Sequence, residues 1–352
     1  MKISIGAKVT DGPTGGGNQF ARSLGSFLTG RGHEVVFRLD DSDIDIILMV
    51  EPRRGSPISA FGPLEILQYL RRVNSNTLVV HRINECDERK GTKTVNAQLE
   101  LANSIADHTV YIGSWLSGLF SGKKMSHSSS VIKNAADRSI YKFVLKNARS
   151  SGEKWRLVTH HWSPNWNKGW DIYALFNEKS DNNLDYELHY IGNKPTNIKA
   201  GNIFFHPPTT GRELAMKLNE NHIYLSASLN EPAGMHHIEG ASVGLPLVFR
   251  NSGALPEYCQ GFGEMFGDSD SFWRALKQVT NQYRMYSERM RSYPSDVSLM
   301  GQAYLDLFEE MVEKRPLYLK FREKRIQSHP ISSWKMWFKY YSYYFMHRLG
   351  FD

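Results

Sequence analysis

Cysteine is almost absent from this chain of 352 residues: Cys86 and Cys259 are the only two. They allow no disulfide framework and have no zinc-ligand spacing. Both read as reduced thiols, which suits a cytosolic protein. No apolar run approaches the ~18 residues of a membrane span. The opening Met1-Lys2-Ile3-Ser4-Ile5 turns polar too soon for a signal peptide. There is no G-x-G-x-x-G fingerprint with a following acidic residue, which argues against a dinucleotide dehydrogenase. Nothing matches an RNA or DNA module, so no nucleic acid partner is expected. His160 and His161 adjoin at a predicted strand end and point to opposite faces, so they form a poor metal pair. Neither metal nor other cofactor is expected.

What is present fits an ordinary two-domain protein. The length favours two domains over one, and a hydrophobic content of 41% supplies normal cores. The net charge of +7 points to an anionic partner. Strand patterns fall at 3–9, 34–39, 44–50, 77–81 and 107–112, with helices between. In the first helix Phe20, Leu24, Phe27 and Leu28 stand at i, i+4, i+7 and i+8. Further strands are predicted at 156–159, 186–191, 202–205, 223–226 and 247–249, with a linker near 146–154. Strand–helix alternation implies parallel sheets that take ligands at the carboxyl ends of their strands.

Four loops sit at such ends. Gly15-Gly16-Gly17 follows the first strand and lets backbone approach a ligand closely, though it lacks the Lys-Ser/Thr of a P-loop; a plain turn is the competing reading. His81-Arg82 ends the strand at 77–81 and leads into a charged loop with Asp87, so His81 and Arg82 are expected on the rim. Lys168-Gly169 follows the strand at 156–159. Most informative is the run from Ser228 through Glu231, Gly234, Met235 and Glu239 to Gly244 and Pro246. It predicts a polar loop, a helix starting at Met235, and a turn into an apolar strand. Glu231 then stands just before a helix N-terminus and Glu239 about one turn inside. The N–H groups near Gly234 and Met235 could hold a phosphate, and an ionised Glu suits a sugar diol.

Two glutamates eight apart occur by chance in many chains, but this run resembles the E-x7-E region of retaining GT-B glycosyltransferases, especially family 4. Ser228, Glu231, Gly234, Glu239, Gly244 and Pro246 match; Gly240 stands where that family has alanine, and Ala241 is displaced by one. Lys168-Gly169 matches the second member of the family's Arg and Lys-Gly pair, while Trp162 stands about where the arginine is expected. Val131 to Asp137 resembles its V-I-x-N-G-V-D strand end, with Ala135 for Gly; Asn134 and Asp137 read as turn residues.

The resemblance covers residues 1 to about 312. It implies an α/β GT-B fold of two Rossmann-like domains, with parallel sheets facing across a cleft. The domains would run 1–148 on the acceptor side and 149–312 on the nucleotide-sugar side, followed by a helical tail, 313–352. It further implies that Glu239 holds the ribose and Glu231 the donor sugar. Gly16, Gly17, Lys168, Gly234 and Met235 would hold the diphosphate. His81, Arg82 and Asp87 would face the acceptor, a glycan or lipid-linked sugar. Lys168 would stabilise the departing diphosphate without a metal.

The tail interleaves Lys335 and Lys339 with Trp334, Trp337, Phe338 and Tyr341. On a helix these four aromatics form one stripe. It suits either an anionic membrane surface at the inner face of the membrane or packing on the core. Two rivals to the enzyme reading stay open: a GT-B scaffold without turnover, and a basic binding protein acting through its tail.

Overall fold

The computed structural model describes residues 1–10, 16–53, 56–123, 125–126, 128–178, 185–196, 198, 202–328, 338, 341–342 and 345. Contacts divide the chain into two compact units. The first comprises Met1–Thr10, Gly16–Lys133 and the stretch from Ser298; the second is built on Asn134–Val297. Among the described residues each unit holds one six-stranded, wholly parallel sheet.

In the first unit the strands are β1 (Lys2–Ile5), β2 (Glu34–Val36), β3 (Ile46–Met49), β4 (Leu78–Ile83), β5 (His108–Tyr111) and β6 (Ser128–Val131), in the order β2-β1-β3-β4-β5-β6. Every residue of β3 and β4 is buried, as expected for parallel strands covered on both faces. β1 stops at Ile5 rather than Val9. Gly6 still donates to the Leu48 carbonyl (2.8 Å), and Ala7 then bridges antiparallel to Ser59. Helix Gly16–Gly30 buries Phe20, Leu24 and Leu28, three of the four residues read as its apolar stripe.

The second unit carries β7 (Trp155–His161), β8 (Tyr186–Gly192), β9 (Ile203–His206), β10 (Ile223–Ser226), β11 (Leu247–Arg250) and β12 (Gly263–Phe266), ordered β12-β11-β10-β7-β8-β9. The order reverses between β7 and β10. That reversal is a topological switch point, where the connections on either side run to opposite faces and leave a crevice at the carboxyl ends.

The division differs from the expected boundaries at both ends. Residues in 134–148 bond within the second unit: Val144 donates to Val243, Lys146 to Ser287, and Arg138 to the carbonyls of Tyr293 and Ser295. Helix Val297–Glu313 packs on the first unit, with Tyr304 against Phe20 at 5.4 Å between ring centroids. Helix Arg315–Ser328 is fastened there too, Arg322 binding Asp107. Of the tail stripe, Tyr341 packs against the first unit's core and Phe338 is 71% exposed. Trp334, Trp337, Lys335 and Lys339 lie outside the described residues.

Candidate active site at the switch point of the second sheet

β7 and β10 are neighbours, Tyr224 opposite Val158, so the loops leaving their carboxyl ends run side by side. After β7 the chain makes a 3-10 turn, Trp166–Lys168, capped by Asn165, whose side chain accepts from the Asn167 N–H. Gly169 follows at φ 104, and a Cβ there would stand 2.5 Å from that of Ala227. Glycine is therefore required, both for its left-handed backbone and for the close approach. Leu229 donates to the Asn167 carbonyl (2.7 Å) and ties the loops together.

This juxtaposition brings Lys168 to Glu231. Lys168 Nζ lies 2.6 Å from Glu231 Oε2, and the two side chains are 8% and 1% exposed. Pairing stabilises two charges that burial alone would penalise heavily. The backbone around Glu231 is unusual: Asn230 has φ 50 and Ala233 φ 120. Ala233 holds that strained conformation while its carbonyl accepts from Asn134 Nδ2 at 2.8 Å. Asn134, read as a turn residue, thus supports the loop that presents Glu231.

Helix Met235–Ser242 begins where the sequence predicts, with Gly234 as its N-cap. A Cβ on Gly234 would stand 2.9 Å from Glu231 Oε1. Met235 is half-buried at the first position, and Glu239 is buried inside the helix. Glu239 Oε2 lies 2.7 Å from His160 Nε2. His161 faces the other way, its Nε2 2.9 Å from the Tyr173 hydroxyl. Sequence reasoning separated the two histidines correctly but missed that His160 reaches Glu239.

Several rings here are buried in neutral form. Burial holds His236 well below the usual histidine range and His237 at about 4; His222, in the same unit, is likewise held at about 4. The unfolded chain protonates these rings near pH 6.5, whereas the folded chain resists protonation down to about pH 4. Between these values the unfolded state binds more protons, so stability must fall as pH falls. The thermal midpoint should therefore drop steadily from pH 7 to pH 5; a flat profile would mean these rings are charged in the fold.

In the first unit His81 and Arg82, expected on a rim, are buried. His81 is wholly buried, accepts from Asn103 Nδ2 at 3.1 Å, and is pushed down to about 3 by desolvation. Arg82 is also buried, its guanidinium 3.8 Å above the Phe20 ring. Strand β4 continues to Ile83, past the expected end at residue 81, and this draws both side chains into the layers packed on the sheet. Asp87 organises the next helix: its carboxylate accepts from Thr92 Oγ1 and the N–H groups of Val95 and Asn96. Gly16 is exposed and Gly17 half-buried at a helix start; a Cβ on Gly17 would meet only Ile58, at 3.6 Å. Gly15 lies outside the described residues. Among the described residues no three of His, Cys, Asp and Glu form a group able to hold a metal ion.

No protein-family model matches the sequence, nor does any curated protein sequence. Solved structures match over most of the chain. Sucrose-phosphate synthase from Thermosynechococcus elongatus aligns with a TM-score of 0.62 and 14% identity, over 88% of this chain and 100% of that one. WaaG, a glycosyltransferase involved in lipopolysaccharide biosynthesis, gives 0.60 and 13%, over 88% and 99%. The Anabaena protein HepE, solved in complex with UDP and glucose, gives 0.61 and 13%, over 88% and 100%. The chain thus has the α/β fold of the GT-B glycosyltransferases.

Proposed function

We propose that this protein is a retaining glycosyltransferase, similar to family 4. It would move a sugar from a nucleotide-sugar donor to a glycan or lipid-linked acceptor in surface polysaccharide or glycoconjugate assembly. The observation that carries this reading is the convergence of Lys168, Glu231 and Glu239 at the switch point of the second sheet, beside the start of helix Met235–Ser242. A nucleotide needs three things there. Its ribose diol needs a fixed carboxylate, met by Glu239. Its diphosphate needs positive charge and free N–H groups, met by Lys168 and the helix start at Gly234 and Met235. The sugar needs an acceptor of its hydroxyl protons, met by Glu231. That a structural neighbour holds UDP and glucose supports the same ligand class.

Retention follows most simply from a front-face attack in which the leaving phosphate takes the acceptor proton. Catalysis is then positioning and electrostatics, with Lys168 supplying the charge and no metal. The roles of Gly16 and Gly17 rest on the resemblance alone. The aromatic tail would add contact with an anionic membrane surface. Two observations favour a scaffold instead: Lys168 is already paired with Glu231, and Trp162, 51% exposed, stands where the family's arginine is expected.

Calorimetry with UDP, ADP and GDP, and turnover of the matching nucleotide sugars with and without EDTA, test the proposal. One diphosphate should bind, and Glu239→Gln should weaken it by the ~1.5–3 kcal/mol of a charge-assisted hydrogen bond. Equal affinity of the variant would remove Glu239 from the ribose. Activity lost in EDTA and restored by magnesium or manganese would overturn the metal-free mechanism.

A further inference from the structure

Glu239 is not held by its own helix. Its Oε2 meets His160 Nε2 at 2.7 Å, across from the end of β7. His160 is held in turn by Tyr224 on β10: the hydroxyl lies 3.0 Å from Nδ1 and also accepts the His160 backbone N–H at 3.1 Å. These contacts fix the direction of each hydrogen. Burial keeps the Tyr224 phenol protonated, its pKa well above the usual value. The Glu239 carboxylate can only accept, so Nε2 carries the ring hydrogen and donates to it. In the neutral ring Nδ1 is then the acceptor and takes the Tyr224 hydroxyl hydrogen.

The helix makes room for this chain of bonds. A Cβ at Gly240 would stand 2.1 Å from Tyr224 Cδ2 and 2.5 Å from Cγ, a distance no real contact tolerates. The tyrosine ring occupies the space an alanine methyl would need. The departure at position 240 noted in the sequence is therefore coupled to the ring on the neighbouring strand.

We propose that Tyr224, His160 and Glu239 form a hydrogen-bonded relay. It sets the Glu239 carboxylate for the ribose diol of a nucleoside diphosphate, and Gly240 exists to admit the Tyr224 ring. His160 and Tyr224 are positioning residues that act through Glu239; the ligand rests on the donor reading above.

Two measurements test it. The first needs no ligand. In ¹⁵N-imidazole spectra at pH 8, His160 should appear as the Nε2–H tautomer with a hydrogen-bonded Nδ1, and Tyr224→Phe, which keeps the ring, should move the Nδ1 resonance to that of an imine nitrogen without a donor. An Nδ1 resonance unchanged in Tyr224→Phe overturns the relay. The second is calorimetry with whichever of UDP, ADP or GDP binds the unaltered protein. His160→Ala and Tyr224→Phe should each weaken binding about tenfold, the scale of one hydrogen bond to a charged group. The loss should vanish with the 2′,3′-dideoxy diphosphate. His160→Gln, whose amide nitrogen reaches about where Nε2 stands, should recover most of it. Gly240→Ala should match Tyr224→Phe, and Tyr224→Phe decides the case if Gly240→Ala does not fold. If Glu239→Gln weakens binding while His160→Ala and Tyr224→Phe do not, the relay falls and the donor reading stands. If no nucleoside diphosphate binds, the donor reading and this ligand fall together, and the imidazole measurement still decides the relay.

Discussion

Lys168→Ala should lose a hundredfold or more in transfer rate and, at the same time, unfold at a distinctly lower temperature. The first effect is that of removing one group that stabilises developing negative charge in the transition state. The second comes from Glu231, which is 1% exposed and pairs with Lys168 at 2.6 Å. Without the ammonium, a carboxylate stays buried and uncompensated, which costs about 3–5 kcal/mol. For a unit of this size that is on the order of 10 °C in midpoint. The double variant Lys168→Met, Glu231→Gln separates the two effects. It should recover most of the lost stability and none of the transfer, because neither charge is left to bury. Thermal unfolding of the single variant at the unaltered protein's midpoint would show that the pair is open to water. Recovery of transfer by the double variant would deny Lys168 its role.

Arg322→Met should destabilise the first unit by a comparable amount, about 3–5 kcal/mol. Arg322 donates to Asp107 Oδ1 from Nε (2.8 Å), to the Ser75 carbonyl (2.9 Å) and the Thr77 carbonyl (2.7 Å), and also reaches Asp107 Oδ2. Asp107 in turn accepts the Val79 N–H at 2.8 Å, at the start of β4. Loss of the guanidinium leaves that carboxylate buried at the base of two central strands. Hydrogen exchange at the amides of β4 and β5 should rise well beyond that of the second unit. Equal protection in both would show the tail helix to be an ornament. The same geometry bears on any shortened chain used to ask whether the tail binds anionic vesicles. A chain ending at Glu313 removes Arg322 and the Arg315–Asp45 pair and perturbs the first unit; one ending at Ser328 keeps both.

The central strands were legible because parallel strands buried on both faces are continuous apolar runs. β10 falls at 223–226 as expected, and helix Met235–Ser242 starts at its predicted residue. The edge strands β6 and β12 were not. Ser128–Val131 is three serines and a valine, and Gly263–Phe266 begins on glycine, so neither carries a hydrophobic period. At the candidate site, Lys168, Glu231 and Glu239 were singled out by local motifs. Their neighbours were not, because the pairing is remote in sequence: His160 and Glu239 are 79 residues apart, Arg322 and Asp107 215. No local pattern encodes such contacts. One trace was visible, the glycine at 240, but it gains meaning only once Tyr224 stands beside it. His81 and Arg82 misled for the opposite reason. Polar residues at a predicted strand end suggest a rim, yet β4 runs two residues further and buries them.

The contact between Gly240 and Tyr224 also constrains the order in which this site can change. With the ring in place, a methyl at 240 has no room, 2.1 Å being far inside any carbon–carbon contact. A descendant sequence can acquire alanine at 240 only after position 224 has shrunk, and a large ring at 224 can arise only on a glycine background. Alanine at 240 and tyrosine at 224 should therefore be mutually exclusive among relatives of this chain. A histidine corresponding to His160 should persist with the tyrosine and drift once it is gone.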